Sequence, residues 1–390
     1  VGGALRRFGF FYVRHHGVPE SLIAEQFAQS QRLFALPDET KRKLTFNATL
    51  DIGYTGGSGT AQALDATARA AVDTKEGFMM TNNAVMDGSA VANEEDPLAG
   101  ATLQWPPGLS GYERTLRAYF ARAYALNRRL NALLFDSLDV DASSRDALGS
   151  APFAVVKQLR YGPAGAAAFN GSIGAGAHAD WGSLTVLATD GTPGLQVELD
   201  GAWLPVPPKE GCLIVNAGDQ IEMLTNGEYR SARHRVITVS AAPRYSTAFF
   251  TYFNYRTKLA PLPRFVHPGR PLARAPMDTR EWFQYKLRQS VGEAAPLPSR
   301  LLAPAAAPSA APAGSILAAP SRSSSPLCLD PGGYVTLLAA LLDSSCFRPT
   351  ALRLCLNLCL PEGSEPVPPV EPLRPAKQNP AHQAHQADQV

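Results

Sequence analysis

The chain has 390 residues, a formal net charge of +2 and 45% hydrophobic residues, ordinary proportions for a globular protein long enough to bury a sizeable core. With no dense Lys/Arg run, that balance gives no case for nucleic acid as a partner. No apolar stretch approaches the ~20 residues of a membrane-spanning helix, the run 334–342 being too short.

Residues 9–13 read as a short buried strand, ended by Gly17 and Pro19. A helix is expected over 20–36, with Leu22, Ile23, Phe27, Leu33 and Phe34 near one face and Pro37 as its stop. His15 and His16 point opposite ways in an extended segment, so they are expected to pack or face solvent rather than chelate. The Gly/Thr/Ala-rich stretch 50–71 reads as a loop near a pocket mouth. Its Gly56-Gly-Ser-Gly59 lacks the Lys-Ser/Thr and the strand-to-helix setting of a phosphate cradle. Trp105-Pro-Pro introduces a long helix, 109–138, whose Leu116, Phe120, Leu130 and Leu134 predict a buried stripe.

From 153 onward short strands take over. The first covers 153–161, and a Gly/Ala-rich loop follows to Gly176. Further strands are expected at 183–187, 195–198, 203–205, 212–216, 234–239 and 247–253, separated by turn signals such as Asp190-Gly, Asp200-Gly and Asn226-Gly. A final helix covers 277–287, with Asp278 a candidate cap. The fold class is therefore α+β, a double-stranded β-helix (jelly-roll) core flanked by helices. Beyond residue 293 the composition turns to Ala, Pro and Ser, which predicts a largely disordered tail. Four of the five cysteines lie there, leaving Cys212 alone in the body. That favours a reducing, cytoplasmic setting over a disulfide framework. Cys355-x-x-x-Cys359 and His382-x-x-His385 lack further ligands and read as no metal site.

The chemistry concentrates in 174–246. His178-Ala-Asp180 sets an imidazole and a carboxylate two residues apart, on one face if the segment is extended. His234 follows 54 positions after Asp180 in another strand-like run. Two histidines and a carboxylate can occupy one face of an octahedral metal and leave three positions open, which suits non-haem Fe(II). Zinc takes the same ligands and would imply hydrolysis. The plain alternative for His178 is a buried histidine bonded to a backbone carbonyl. Arg244-Tyr-Ser246, ten residues beyond His234, pairs a guanidinium with a hydroxyl, a combination that holds a carboxylate. Trp181, Phe253, Tyr255 and Tyr54 are candidate pocket walls or core, and Arg160 or Arg256 could steer an acidic substrate.

His178-x-Asp180, His234 and Arg244-x-Ser246 in this order resemble the 2-oxoglutarate/Fe(II)-dependent dioxygenases, in particular the isopenicillin N synthase-like branch. Gly194-Leu-Gln-Val, Val215-Asn-Ala-Gly-Asp, the segment 225–234, the N-terminal segment 8–19 and Lys75-Glu-Gly-Phe agree, so the likeness covers residues 1–292. The resemblance implies that His178, Asp180 and His234 bind Fe(II). It also implies that Arg244 and Ser246, helped by Tyr161, bind the distal carboxylate of 2-oxoglutarate, and that O2 completes the reaction. Hydroxylation or desaturation of a small molecule by a monomer, with release of succinate and CO2, is the activity it implies. Two alternatives stay open: an oxidase in which Arg244 and Ser246 hold the substrate's own carboxylate, and a non-catalytic jelly-roll that keeps a metal for stability. By the same resemblance the chain divides into an N-terminal dioxygenase region (1–150), the jelly-roll domain (151–258), a helical segment (259–292) and the tail (293–390). A further strand is expected ahead of Val1.

Overall fold

In a computed structural model the described residues are 1–47, 52–56, 75–81, 105–150, 152–162 and 173–290, and they belong to one compact unit. The expected tail and most of the 50–71 loop lie outside them. In chain order the elements begin with α1 (Gly2–Arg7), β1 (Phe10–Arg14), α2 (Glu20–Phe34), α3 (Asp38–Arg42), β2 (Thr45–Asn47), β3 (Ile52–Thr55) and β4 (Lys75–Thr81). The long α4 (Tyr112–Ser137) and short α5 (Ala142–Gly149) lead to β5 (Pro152–Tyr161), β6 (Ile173–His178), β7 (Leu184–Thr189), β8 (Leu195–Leu199), β9 (Ala202–Pro205) and β10 (Cys212–Ala217). Then come α6 (Asp219–Leu224), β11 (His234–Ile237), β12 (Arg244–Asn254), the short pair β13 (Lys258–Leu259) and β14 (Met277–Asp278), and α7 (Thr279–Ser290).

Two antiparallel sheets make the jelly roll. The larger runs β1-β10-β7-β12-β5-β4-β3-β2, and the smaller β6-β11-β8-β9. Between them lies an apolar layer to which the large sheet gives Phe10, Tyr12, Leu159, Tyr161 and Ile214, and the small sheet Ala175, Leu195, Val197 and Val236. The outer face of the large sheet is covered by the helices. There Leu116, Phe120, Leu130 and Leu134 of α4, each at most 1% exposed, pack with Val156, Val186 and Phe249. Burying a side chain of that size contributes on the order of 1.5–3 kcal/mol, so the α4 stripe anchors the scaffold behind the site.

Three expectations are corrected. Residues 52–55 form β3 rather than loop, and Tyr54 on it is 3% exposed, because β4 supplies a pairing partner from outside the glycine-rich stretch. The Gly/Ala-rich segment before His178 is strand from Ile173, paired with β11, its small residues lying close under the opposing sheet. Asp180 lies two residues past the end of β6, so strand alternation does not set its direction. Among the described residues no helix is long and apolar enough to cross a membrane.

Candidate active site

His178 and His234 are brought together by strand pairing: they are directly opposite in the β6–β11 ladder, with ring centroids 4.3 Å apart. His178 Nδ1 lies 2.7 Å from Gly176 O and His234 Nδ1 lies 3.1 Å from Ala232 O. A carbonyl only accepts, so each Nδ1 carries the proton and each Nε2 keeps its lone pair. Those two Nε2 atoms lie 4.0 and 3.7 Å from Asp180 Oδ1.

Asp180 reaches this position through its backbone. The 180–183 segment is fastened by hydrogen bonds from Ser183 N to Thr251 O (2.7 Å), Gly218 N to Ser183 O (2.7 Å), Asp219 N to Asp180 O (2.8 Å) and Gln220 N to Gly182 O (3.0 Å). Gly182 is required there, since a Cβ would lie 2.1 Å from Thr251 O. The side chain is then aimed by two donors to Oδ2, Thr185 Oγ1 at 2.5 Å and Asn216 Nδ2 at 2.7 Å, leaving Oδ1 turned to the histidines. Neither donor is evident as a site residue in the sequence. The available signal is a polar Asn216 inside the apolar run Leu213–Val215, where an unpaired amide is costly.

The electrostatics suit a cation. Burial lowers the His178 pKa to about 3, with the neighbouring His234 and Lys75 adding to the effect, so its imidazole is neutral. Burial alone would raise the pKa of Asp180. His234, His178 and the hydrogen bonds from Thr185 and Asn216 outweigh it and hold the carboxylate ionised below its usual range. A buried anion beside two imidazole lone pairs is a donor set for a divalent metal. The three ligand atoms lie within 4.8 Å of one another.

The second pair stands on β12, which joins β7 to β5. Arg244 is opposite Tyr161, and Ser246 is opposite Leu159 on β5 and Thr189 on β7. Arg244 is 4% exposed and Ser246 1%. The guanidinium donates to Thr192 O (3.2 Å) and Ser246 Oγ (3.3 Å) and lies 4.9 Å from the Tyr161 ring centroid. Among the described residues no carboxylate pairs with it. A buried guanidinium of this kind can bind an anion.

The other candidates disperse. Phe253 and Tyr255 are core, and Trp181 packs on Phe283 with ring centroids 6.1 Å apart. Arg160 pairs with Glu76, which also accepts from Lys41 Nζ and Tyr54 Oη at 2.5 Å each. That cluster joins α3, β3, β4 and β5 and holds the outer strands of the large sheet.

The family comparisons agree with this geometry. The 2OG-Fe(II) oxygenase superfamily matches residues 155–252, and the N-terminal region of the family described as non-haem dioxygenase in morphine synthesis matches 1–107. A 2-oxoglutarate-Fe(II) type oxidoreductase from Aspergillus fumigatus is 31% identical over 291 residues, covering 73% of this chain and 85% of that one. Kihadalactone A synthase LFS from Citrus sinensis is 31% identical over 295 residues, 72% and 84% of the two chains. Among solved structures, a putative 2OG-Fe(II) oxygenase family protein from Caulobacter crescentus aligns at 26% identity and a TM-score of 0.63, covering 74% of this chain and 92% of that one. The chain belongs to the 2OG-Fe(II) oxygenase superfamily.

Proposed function

We propose that His178 Nε2, Asp180 Oδ1 and His234 Nε2 hold Fe(II), and that Arg244, Ser246 and Tyr161 receive the distal carboxylate of 2-oxoglutarate. The chain is a 2-oxoglutarate-dependent dioxygenase that oxidises a small organic molecule, by hydroxylation or desaturation, releasing succinate and CO2. One observation carries the residue assignment: three metal-ligand atoms converge while a buried guanidinium, with no carboxylate partner among the described residues, stands on a strand of the same jelly roll. When bound, the iron together with 2-oxoglutarate and O2 supplies an oxidant strong enough for an unactivated C–H bond.

The protein's own part is orientation and exclusion of water. Gly176 O and Ala232 O fix both imidazoles as Nε2 donors, and Thr185 and Asn216 fix Asp180. Arg244 draws a dicarboxylate to one end of the barrel by charge, and Ser246, accepting from Arg244, keeps its own proton to donate. The apolar layer of Phe10, Leu159, Leu195 and Val236 keeps the interior dry. We read the four-part division of the chain given above as its functional organisation. We further read the chain as a monomer, and its single, free cysteine among the described residues supports a reducing compartment such as the cytoplasm.

The test separates the two halves of the site. Arg244→Ala is expected to keep one iron per chain and to raise the 2-oxoglutarate needed for succinate release by at least about tenfold, a charge-assisted contact being worth ~1.5–3 kcal/mol. Equal loss of iron and cosubstrate binding in that variant contradicts the division of roles.

A further inference from the structure

We propose that Asp219 is a positioning residue for the iron site: its backbone holds the segment that carries Asp180, its carboxylate holds the segment that leads to His234, and Lys286 of α7 holds that carboxylate. This rests on the ligand assignment made above. His234 is the first residue of β11 and Asp180 lies two residues past the end of β6, so on one side of each ligand the strand ladder gives out. Asp219 supplies the hold there. It opens α6 at the end of the run Val215-Asn-Ala-Gly-Asp, whose Asn216 already orients Asp180. Gly218 lets this turn approach the 180–183 crossing, since a Cβ there would lie 2.4 Å from Gly182 O and 2.9 Å from Asp180 O. The Asp219 N–H then donates to Asp180 O at 2.8 Å.

The carboxylate acts on the other ligand's segment. Its Oδ1 accepts from Ser231 Oγ at 2.7 Å, and Ser231 N donates to Glu222 Oε2 at 2.8 Å, so both donors of Ser231 are tied to α6. Ser231 is joined directly to Ala232, whose carbonyl lies 3.1 Å from His234 Nδ1 and fixes that ring as an Nε2 donor. Asp219 Oδ2 pairs with Lys286 Nζ at 3.2 Å, the two side chains being 13% and 17% exposed. Lys286 stands on α7, whose Trp282 Nε1 donates to Trp181 O, the carbonyl just after Asp180, at 3.0 Å. Its ammonium also lies 5.9 and 5.3 Å from the ring centroids of Trp181 and Trp282. Both oxygens of Asp219 are thus committed, one to the approach to His234 and one to α7. Charge-assisted bonds shielded from water hold a side chain harder than exposed ones do.

The experiment titrates the metal-free protein with Fe(II) without oxygen and follows bound iron and Tm. Asp219→Asn keeps the shape of the side chain and removes its charge. It is expected to weaken iron about tenfold and to shrink the rise in Tm that iron causes. Ser231→Ala is expected to weaken iron by about the same factor, and Ser231→Thr, which keeps the hydroxyl, to stay within about twofold of wild type. Lys286→Gln is expected to weaken iron about threefold in the wild-type background and to have no further effect in Asp219→Asn, since it acts through that carboxylate. Additive losses overturn the part assigned to Lys286. Wild-type iron affinity in Asp219→Asn or in Ser231→Ala overturns the proposal, as does a lowered Tm of the metal-free protein with iron affinity unchanged, the signature of a purely structural bond. If Asp219→Asn does not fold, the contrast between Ser231→Ala and Ser231→Thr decides, and equal affinity in the two overturns the proposal. A wild-type protein that binds no iron removes the ligand assignment itself, a failure distinguishable from that of Asp219.

Discussion

Asp180 carries the only negative charge among the proposed ligands, and it is 6% exposed. Two consequences follow at the scale of single residues. Asp180→Ala is expected to abolish stoichiometric iron binding, measured by anaerobic titration; undiminished affinity would refute the ligand assignment. Asn216→Ala removes one of the two donors that turn Oδ1 toward the histidines, and a 10- to 100-fold loss of iron affinity is expected of a partner in that position. Wild-type affinity in Asn216→Ala would mean that Thr185 alone orients the carboxylate. The convergence of His178, Asp180 and His234 was legible in the sequence because their spacing matched a known order. Asn216 and Thr185 were not, because their role depends on a carboxylate 36 and 5 positions away, in a loop whose course no local pattern dictates.

At the scale of elements, the 180–183 crossing and the outer strands of the large sheet are the two places where packing supports the site. Gly182→Ala forces a methyl group against Thr251 O, which cannot retreat without disturbing β12. A loss of about 2 kcal/mol or more is expected, with iron affinity falling alongside Tm. An unshifted Tm would show that the loop adjusts freely.

Glu76 presents the opposite case, a polar clasp with a pH signature. Burial would raise its pKa, but Lys41, Tyr54 and Arg160 hold it below 4.5. A carboxyl depressed on folding contributes stability above its unfolded pKa and loses it as pH falls through the folded value. Glu76→Gln is therefore expected to cost about 2 kcal/mol at pH 7. The gap to wild type should narrow below pH ~4.5, the region where the unfolded carboxyl takes up its proton. A gap constant from pH 7 to pH 3 would show that the charge of Glu76 is irrelevant to the clasp. β3 escaped the sequence reading because Gly53 and the glycine run after Thr55 carry no strand pattern of their own. Its pairing with β4 decides it.

At the scale of the molecule, every residue of the proposed site and both family matches lie within the first 252 residues. A chain ending at residue 300 is accordingly expected to bind iron and 2-oxoglutarate as the full chain does, and insolubility of that shorter chain would show that the later residues are integral to the fold. Helix stripes and hairpin turns made the jelly roll readable because period and turn chemistry are local properties. The wide eight-stranded sheet was not readable, since it joins strands from residue 10 to residue 254 in an order set by long-range pairing. The convergence of two imidazoles and an aspartate on one ferrous ion beside a guanidinium is tested most directly by adding Fe(II), then 2-oxoglutarate, to the metal-free protein without oxygen. The account predicts one iron per chain and a visible absorption band that appears only with the 2-oxo acid. Iron bound at one per chain with no band at saturating 2-oxoglutarate would contradict it.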